Sequence, residues 1–192
     1  MPNFDSEIFQ RSDLLAEKIQ VLIDMPLLNE SARIITSDVA CSLSFEHWHS
    51  VRALLECGLL SSSIVIHRAQ FESLVRAVWI TYSASEDQID KLSTDLNLES
   101  EQAAKNLPQV AEMIASIGKS GPREAFNALS RFKDNSWKAL NSYVHAGIHP
   151  IGVLGIFRPK TTKCSGGHAV RGLQRGITFL ALHIASHNKS IT

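Results

Sequence analysis

Two long amphipathic stretches dominate the sequence and restrict the folds open to it. Residues 29–57 and 61–83 each place apolar side chains at helical spacing over many turns, and only a few residues around Gly58 separate them. Gly58 suits the end of the first helix, and the serines at 61–63 suit the start of the second. A short connection between two long helices predicts an antiparallel hairpin.

Helical patterns also flank this hairpin. The sequence contains no long segments in which apolar and polar residues alternate, as they do in half-buried β-strands. The other helices we expect are 5–25, 85–92 with a capping box of Ser85 and Gln88, 107–117 ending at Gly118, 121–132, 134–144 with a cap at 134–136, and 168–187. Residues 148–167, rich in Gly and Pro, are expected to form a loop. The sequence therefore predicts an all-α bundle, a single domain over residues 1–192.

The composition narrows the classes of function. Nineteen basic and nineteen acidic residues give no net charge, which argues against nucleic-acid binding through bulk electrostatics, although a local site for RNA stays open. No apolar run approaches the roughly 20 residues of a membrane span, and the first residues do not resemble a secretion signal. We therefore expect a cytoplasmic protein that does not contact the membrane.

The cysteine and histidine content gives little support to a metal site. Three cysteines at 41, 57 and 164 form no C-x-x-C pair, and we expect Cys41 and Cys57 to be buried. His183 and His187 have a spacing that can bind a metal, but the carboxylate pattern of a metalloprotease is missing. No phosphate-binding glycine-rich loop is present either. We predict neither a bound metal nor a cofactor.

Charged side chains recur on the two helices of the predicted hairpin. Arg68, Glu72 and Arg76 follow one another at four-residue steps and form a ladder on one helix face. His49, Arg52 and Glu56 share a face of the preceding helix, which the hairpin is expected to bring alongside this ladder. A structural ion-pair network is the favoured interpretation, and a ligand or phosphate site is the alternative.

The segment from Lys138 to Gly147 has the densest set of reactive side chains. Lys138, Asn141 and His145 share one helix face, which is compatible with an acid/base site. The equally weighted alternative is that His145 has no chemical role and only pairs with the free carbonyl groups at the end of its helix. We include Tyr143 in this segment as a candidate binding residue.

Two segments carry a resemblance to a known group of proteins. Residues 63–79 (SIVIHRAQFESLVRAVW) and 140–147 (LNSYVHAG) resemble bacterial helical proteins related to the HEPN superfamily, of the DUF5677, DUF6988 and abortive-infection kind. The resemblance spans roughly residues 30–187. It implies a homodimeric helical bundle and, in active members, a metal-independent ribonuclease whose motif is an Arg, a polar residue, three further residues and a His.

This chain matches the motif only in part. Asn141 and His145 match the polar residue and the His, but Leu140 stands where the Arg is expected. In the family mechanism the His acts on the RNA 2′-hydroxyl and the Arg steadies the phosphate, so Lys138 or an arginine of the ladder would have to replace it. The expected function is a non-catalytic module in stress or phage defence that binds a partner protein, nucleotide or RNA. The alternative is a ribonuclease toxin using His145, Asn141 and a substitute cation.

Overall fold

The computed structural model describes residues 6–95, 97, 98, 100, 102 and 106–156. The helices, in chain order, are α1 (Ser6–Ile23), α2 (Ala32–Glu56), α3 (Leu60–Tyr82), α4 (Glu86–Ser93), α5 (Val110–Ser120), α6 (Arg123–Val144) and α7 (Ile148–Ile156). No strand occurs among these residues, so the prediction of an all-α protein is confirmed for them. The predicted helix 168–187, most of the predicted loop and Cys164, His168, His183 and His187 lie outside the described residues.

The central hairpin is formed by α2 and α3, as predicted. Gly58 adopts a positive φ of 73°, which allows the sharp reversal after α2. Small residues hold the two helices together, because the Ser37 hydroxyl donates to the carbonyl of Ala77 at 3.0 Å and the Ser44 hydroxyl to that of Gln70 at 3.1 Å. The expected serine caps of α3 are wrong, since Leu59 precedes the helix and makes no side-chain cap.

Arg33 joins the start of α2 to the end of α3, at the end of the hairpin opposite Gly58. Its guanidinium donates to the carbonyl oxygens of Ile80 at 2.6 Å and Ala84 at 2.9 Å, and it pairs with Glu86 at the start of α4. The bond to Ile80 satisfies a carbonyl group that the end of α3 leaves without a helical partner, and the bond to Ala84 holds the short segment between α3 and α4. The predicted capping box of Ser85 and Gln88 is present at the same corner and begins α4.

The core lies around α3, which contacts α2, α5 and α6. Its most deeply buried apolar side chains are Val75, Trp79, Ile80, Ile89, Met113 and Ile117. Because these side chains come from α3, α4 and α5, burial of apolar surface holds the three helices as one unit.

Two predicted boundaries are wrong because packing overrides local signals. The polar residues 134–136 do not start a new helix; α6 continues through them, since Leu129, Phe132 and Trp137 keep one apolar side packed on the core. Gly118 lies inside α5 rather than at its end. A Cβ at this position would lie 2.8 Å from the Phe126 ring, so glycine permits the close approach of α5 and α6.

The start of the predicted loop is also helical. Ser142 accepts a hydrogen bond from the backbone N–H of His149 at 3.2 Å, which satisfies a donor at the beginning of α7. Residues 148–156 therefore extend the bundle beyond the corner at Gly147. In the part of the chain that the structure describes, no helix is both long and apolar enough to cross a membrane.

The prediction that Cys41 and Cys57 are both buried is wrong. Cys41 is half-buried in α2, where burial and, to a smaller extent, Asp38 raise the pKa of its thiol. Cys57 is exposed, because it caps α2 at the outer end of the hairpin.

Candidate functional site

The side chain that joins the two candidate segments is Arg68. Its Nε donates to Oδ1 of Asn141 at 2.7 Å, across from α3 to α6. Its Nη2 pairs with Oε1 of Glu72 at 3.0 Å, one turn further along α3. A single guanidinium therefore connects the charged ladder to the motif-like segment near His145.

Aromatic rings form the floor of this arrangement. The guanidinium of Arg68 lies 4.9 Å from the centre of the Trp137 ring, within the range of a cation–π interaction. The Trp137 ring in turn packs against Phe71 at 5.8 Å, and Phe71 packs against Phe132 at 4.3 Å. Trp137 is a further residue of the site, beyond those predicted from the sequence. Its position four residues before Asn141 puts both on one helix face.

His67 lies beside this cluster and its ring is turned into it. Nδ1 is 2.9 Å from Oε1 of Gln70, and the ring meets that of Phe132 edge to face at 5.4 Å. Burial lowers the pKa of the His67 imidazole below its ordinary value, and the bond to Gln70 offsets this only in part. His67 is therefore held neutral, as a packing group of the core.

The other candidate residues of α6 face outwards. Lys138 and His145 are exposed, and neither side chain has a hydrogen bond or an ion pair among the described residues. The backbone N–H of His145 donates to the carbonyl of Asn141 at 3.1 Å, because His145 caps the end of α6. Tyr143 is half-buried, and burial raises the pKa of its phenol.

The charged ladder is shorter than predicted. Glu72 pairs with Arg68 alone, and Arg76 makes no ion pair or hydrogen bond within the described part of the chain. The ladder is partly buried, with 23% of the Arg68 side chain and 34% of the Glu72 side chain exposed.

The expected approach of Arg52 and His49 to the ladder is wrong. Arg52 turns to α1 instead, where it pairs with Asp13 at 2.9 Å, donates to the carbonyl of Phe9 at 3.0 Å and covers the Phe9 ring. His49 is exposed and packs edge to face on Phe45. Arg52 therefore belongs to the contact of α2 with α1, and His49 packs on aromatic side chains of its own helix. Neither residue belongs to the Arg68 cluster.

The chemistry of the Arg68 cluster follows from its partners. The guanidinium of Arg68 is already paired with the carboxylate of Glu72, and it donates a second hydrogen bond to the amide oxygen of Asn141. Groups of three or more His, Cys, Asp or Glu side chains that could hold a metal are absent from the described ranges. The arrangement is that of a bridge between helices, with His145 and Lys138 exposed beside it.

Comparison with known proteins adds one match. The model of a family of unknown function (DUF6988) matches residues 41–155, more than half of the 192-residue chain. The matched segment begins in α2 and includes Arg68, Asn141 and His145. No curated protein and no solved structure matches the chain.

Proposed function

Since the chain belongs to this family of unknown function (DUF6988), we propose from its own residues that it is a non-catalytic binding module that takes a partner protein. The role in bacterial stress response or phage defence and the homodimeric HEPN-like assembly come from the resemblance and form part of the proposal. The cytoplasmic location, which is expected from the sequence itself, is also part of it. The observation that carries it is that the guanidinium of Arg68 is already bound by Glu72 and Asn141.

Arg68 is the cation that directly contacts the segment containing Asn141 and His145, and two of its five N–H donors already bind Glu72 and Asn141. A phosphate that approached these two donors would have to compete with the carboxylate of Glu72 at 3.0 Å and the amide of Asn141 at 2.7 Å. Catalysis by charge stabilisation needs donors that are preorganised toward the developing charge and not toward the protein itself. This favours a structural role for the guanidinium.

The charge balance favours a protein rather than RNA as the partner. The chain contains 19 acidic and 19 basic residues and carries no net charge with histidine neutral. A neutral chain does not attract a phosphate backbone by bulk electrostatics, and phosphate contacts supply most of the non-specific affinity for nucleic acid.

The surface around the corner of α6 and α7 suits a protein partner. Ile148 is 80% exposed and Ile151 is 66% exposed, close in sequence to the exposed side chain of His145. Exposed apolar side chains with polar groups beside them are typical of protein interfaces. We assign the partner to this corner, defined as His145, Ile148 and Ile151.

A ribonuclease is the second candidate, and one contact favours it. The bond from Arg68 to Asn141 brings a cation to the amide that lies four residues before His145. Glu72 would then have to release the guanidinium when RNA binds, so that Arg68 could replace the arginine missing at Leu140.

Cleavage of mixed cellular RNA in the presence of a chelator separates the two candidates. We expect no cleavage by the wild-type protein, by His145→Ala or by the control variant Lys91→Ala on α4. Cleavage by the wild type and Lys91→Ala that disappears in both His145→Ala and Arg68→Ala would replace the proposal with a metal-independent ribonuclease.

The bridging role of Arg68 has its own test, a double-mutant cycle of unfolding free energies. Arg68→Ala and Asn141→Ala should each destabilise the protein, and their coupling should be on the order of 1–2 kcal/mol, since a bond to a charged group is lost only once in the double variant. Additive effects would mean that the contact does not hold α3 to α6.

The partner surface is tested by co-purification from the bacterium, with bound proteins identified by mass spectrometry. We expect Ile148→Asp to lose a protein that the wild type retains. Leu28→Asp is the matched control, because Leu28 is 88% exposed and precedes the matched segment. Equal retention by both variants would exclude the corner of α6 and α7.

A further inference from the structure

The first helix carries an apolar row that no described residue covers. Ile8, Leu15, Ile19 and Leu22 lie on one side of α1 by their helical spacing, and they are between 36% and 67% exposed. Among the described apolar side chains of α1, Ala16 alone is buried, on the neighbouring side of the helix. In proteins, most of the stability of an amphipathic helix such as this one of 18 residues comes from packing of its apolar side.

The observed attachment of α1 to α2 leaves this row free. It depends on Arg52, which pairs with Asp13 and lies 4.3 Å from the centre of the Phe9 ring. Neither contact involves a member of the row. A further apolar surface is therefore needed to hold α1.

The sequence after Ile156 contains a matching apolar row. Residues 168–187 are predicted from the sequence to be helical, and their apolar positions 170, 173, 177, 180 and 184 share one side of such a helix. The first and last positions of this row, 170 and 184, are 14 residues apart, and those of the row of α1, 8 and 22, are also 14 residues apart. Both rows would be about 21 Å long at the rise of an α-helix.

The charges of the two regions are opposite. Residues 157–192 contain six basic residues and no acidic residue, and residues 1–30 contain six acidic and two basic residues. Opposite net charges favour association and disfavour the pairing of two copies of the acidic α1.

We propose that residues 168–187 form a helix that docks on the apolar row of α1 in the same chain. The connection is long, because the eleven residues 157–167 can extend over about 36 Å. This is close to the length of α2, the longest of the described helices, at about 37 Å. Docking would bury both rows and fix α1 on the bundle, and it does not depend on the proposed function.

Cysteine cross-linking of the full chain tests this docking. Leu15 and Ile177 are the central residues of the two rows, so they meet whether the helices run parallel or antiparallel. The test variant combines Leu15→Cys and Ile177→Cys in a chain with Cys41→Ala, Cys57→Ser and Cys164→Ser. The control replaces Leu15→Cys by Glu17→Cys, an exposed position on the opposite side of α1.

Under mild oxidation at low protein concentration, we expect an intramolecular disulfide in the test variant at a yield at least about fivefold above the control. A disulfide-linked dimer would overturn the proposal in favour of a second copy as the occupant. Equal yields in test and control would also overturn it, because the two rows would then not meet.

Hydrogen exchange provides a second measurement without cysteine substitution. Ile177→Asp should speed amide exchange in α1 by at least about tenfold and leave α5 unchanged, since only the docked helix loses its cover. Unchanged exchange in α1 would contradict the docking. Faster exchange in α1 and α5 alike would do so too, because it would indicate a general loss of stability.

Discussion

At the scale of single residues, His67 makes the stability of the protein depend on pH. Its lowered pKa means that the folded protein keeps this imidazole neutral at a pH where the unfolded chain, with an ordinary value near 6.5, takes up a proton. The unfolded state therefore binds more protons as the pH falls below about 6.5, and the free energy of unfolding decreases.

We expect the wild type to lose up to about 1.4 kcal/mol more stability than His67→Gln between pH 7.5 and 5.5. Urea denaturation at the two pH values measures the difference, and the other histidines contribute to both proteins alike. If the two proteins lose the same free energy, His67 does not titrate differently on folding.

Spacing along the chain predicted only part of the Arg68 cluster. The pair of Arg68 and Glu72 follows from a four-residue step on one helix, whereas the bond to Asn141 joins residues 73 positions apart. The sequence pattern makes Arg68 and Arg76 equal candidates for the substitute cation. Which of them contacts Asn141 depends on the rotation of α3 relative to α6, which the spacing of residues does not determine. Arg52 was assigned to the wrong neighbour for the same kind of reason.

At the scale of elements, the corner between α6 and α7 depends on two small residues. Ala146 has a positive φ of 48°, in the left-handed region that a side chain disfavours. Gly147 has no space for a side chain, since a Cβ would lie 2.5 Å from Oγ of Ser142, the atom that accepts the first bond of α7.

Substitutions at these two neighbours should have opposite effects. Ala146→Gly removes the strain and should stabilise the protein by up to about 1 kcal/mol, and Gly147→Ala should destabilise it by about 1–3 kcal/mol. Thermal unfolding of the two variants against the wild type measures both changes. A loss of stability in Ala146→Gly would show that chain entropy, and not strain, dominates at this corner.

Helix positions were predicted more accurately than helix ends. The periodic apolar pattern placed α1, α2, α3 and α4 within a few residues of their observed bounds. It was wrong at Gly118 and at residues 134–136, where glycine and polar residues are normally signs of a helix end. At both places the contact of α5 and α6 with each other or with α3 determines the structure, and such contacts leave no local mark in the sequence.

At the scale of the whole molecule, the core around Ile117 determines stability. Ile117 is fully buried in the cluster that joins α3, α4 and α5. Ile117→Ala should lower the free energy of unfolding by about 2–5 kcal/mol, because it removes apolar contacts and leaves a cavity. Ile35→Ala is the matched control on α2, where the side chain is 44% exposed and the loss should be clearly smaller. Chemical denaturation compares them, and equal losses would mean that the core is centred elsewhere.

The fold class could be predicted from the sequence for the described residues, but the assembly of the helices could not. Helical periodicity indicates which side of each helix is apolar, yet the exposed row of α1 shows that it does not indicate what covers that side. The family match extends over residues 41–155 and so includes neither α1 nor the proposed docking segment.

The burial of Leu140 limits what a single substitution at this position can achieve. Only 6% of Leu140 is exposed, so Leu140→Arg would place a guanidinium in a buried site without a prepared partner. The variant would therefore lose stability, and an arginine at this position would need further changes around it before it could act on any ligand.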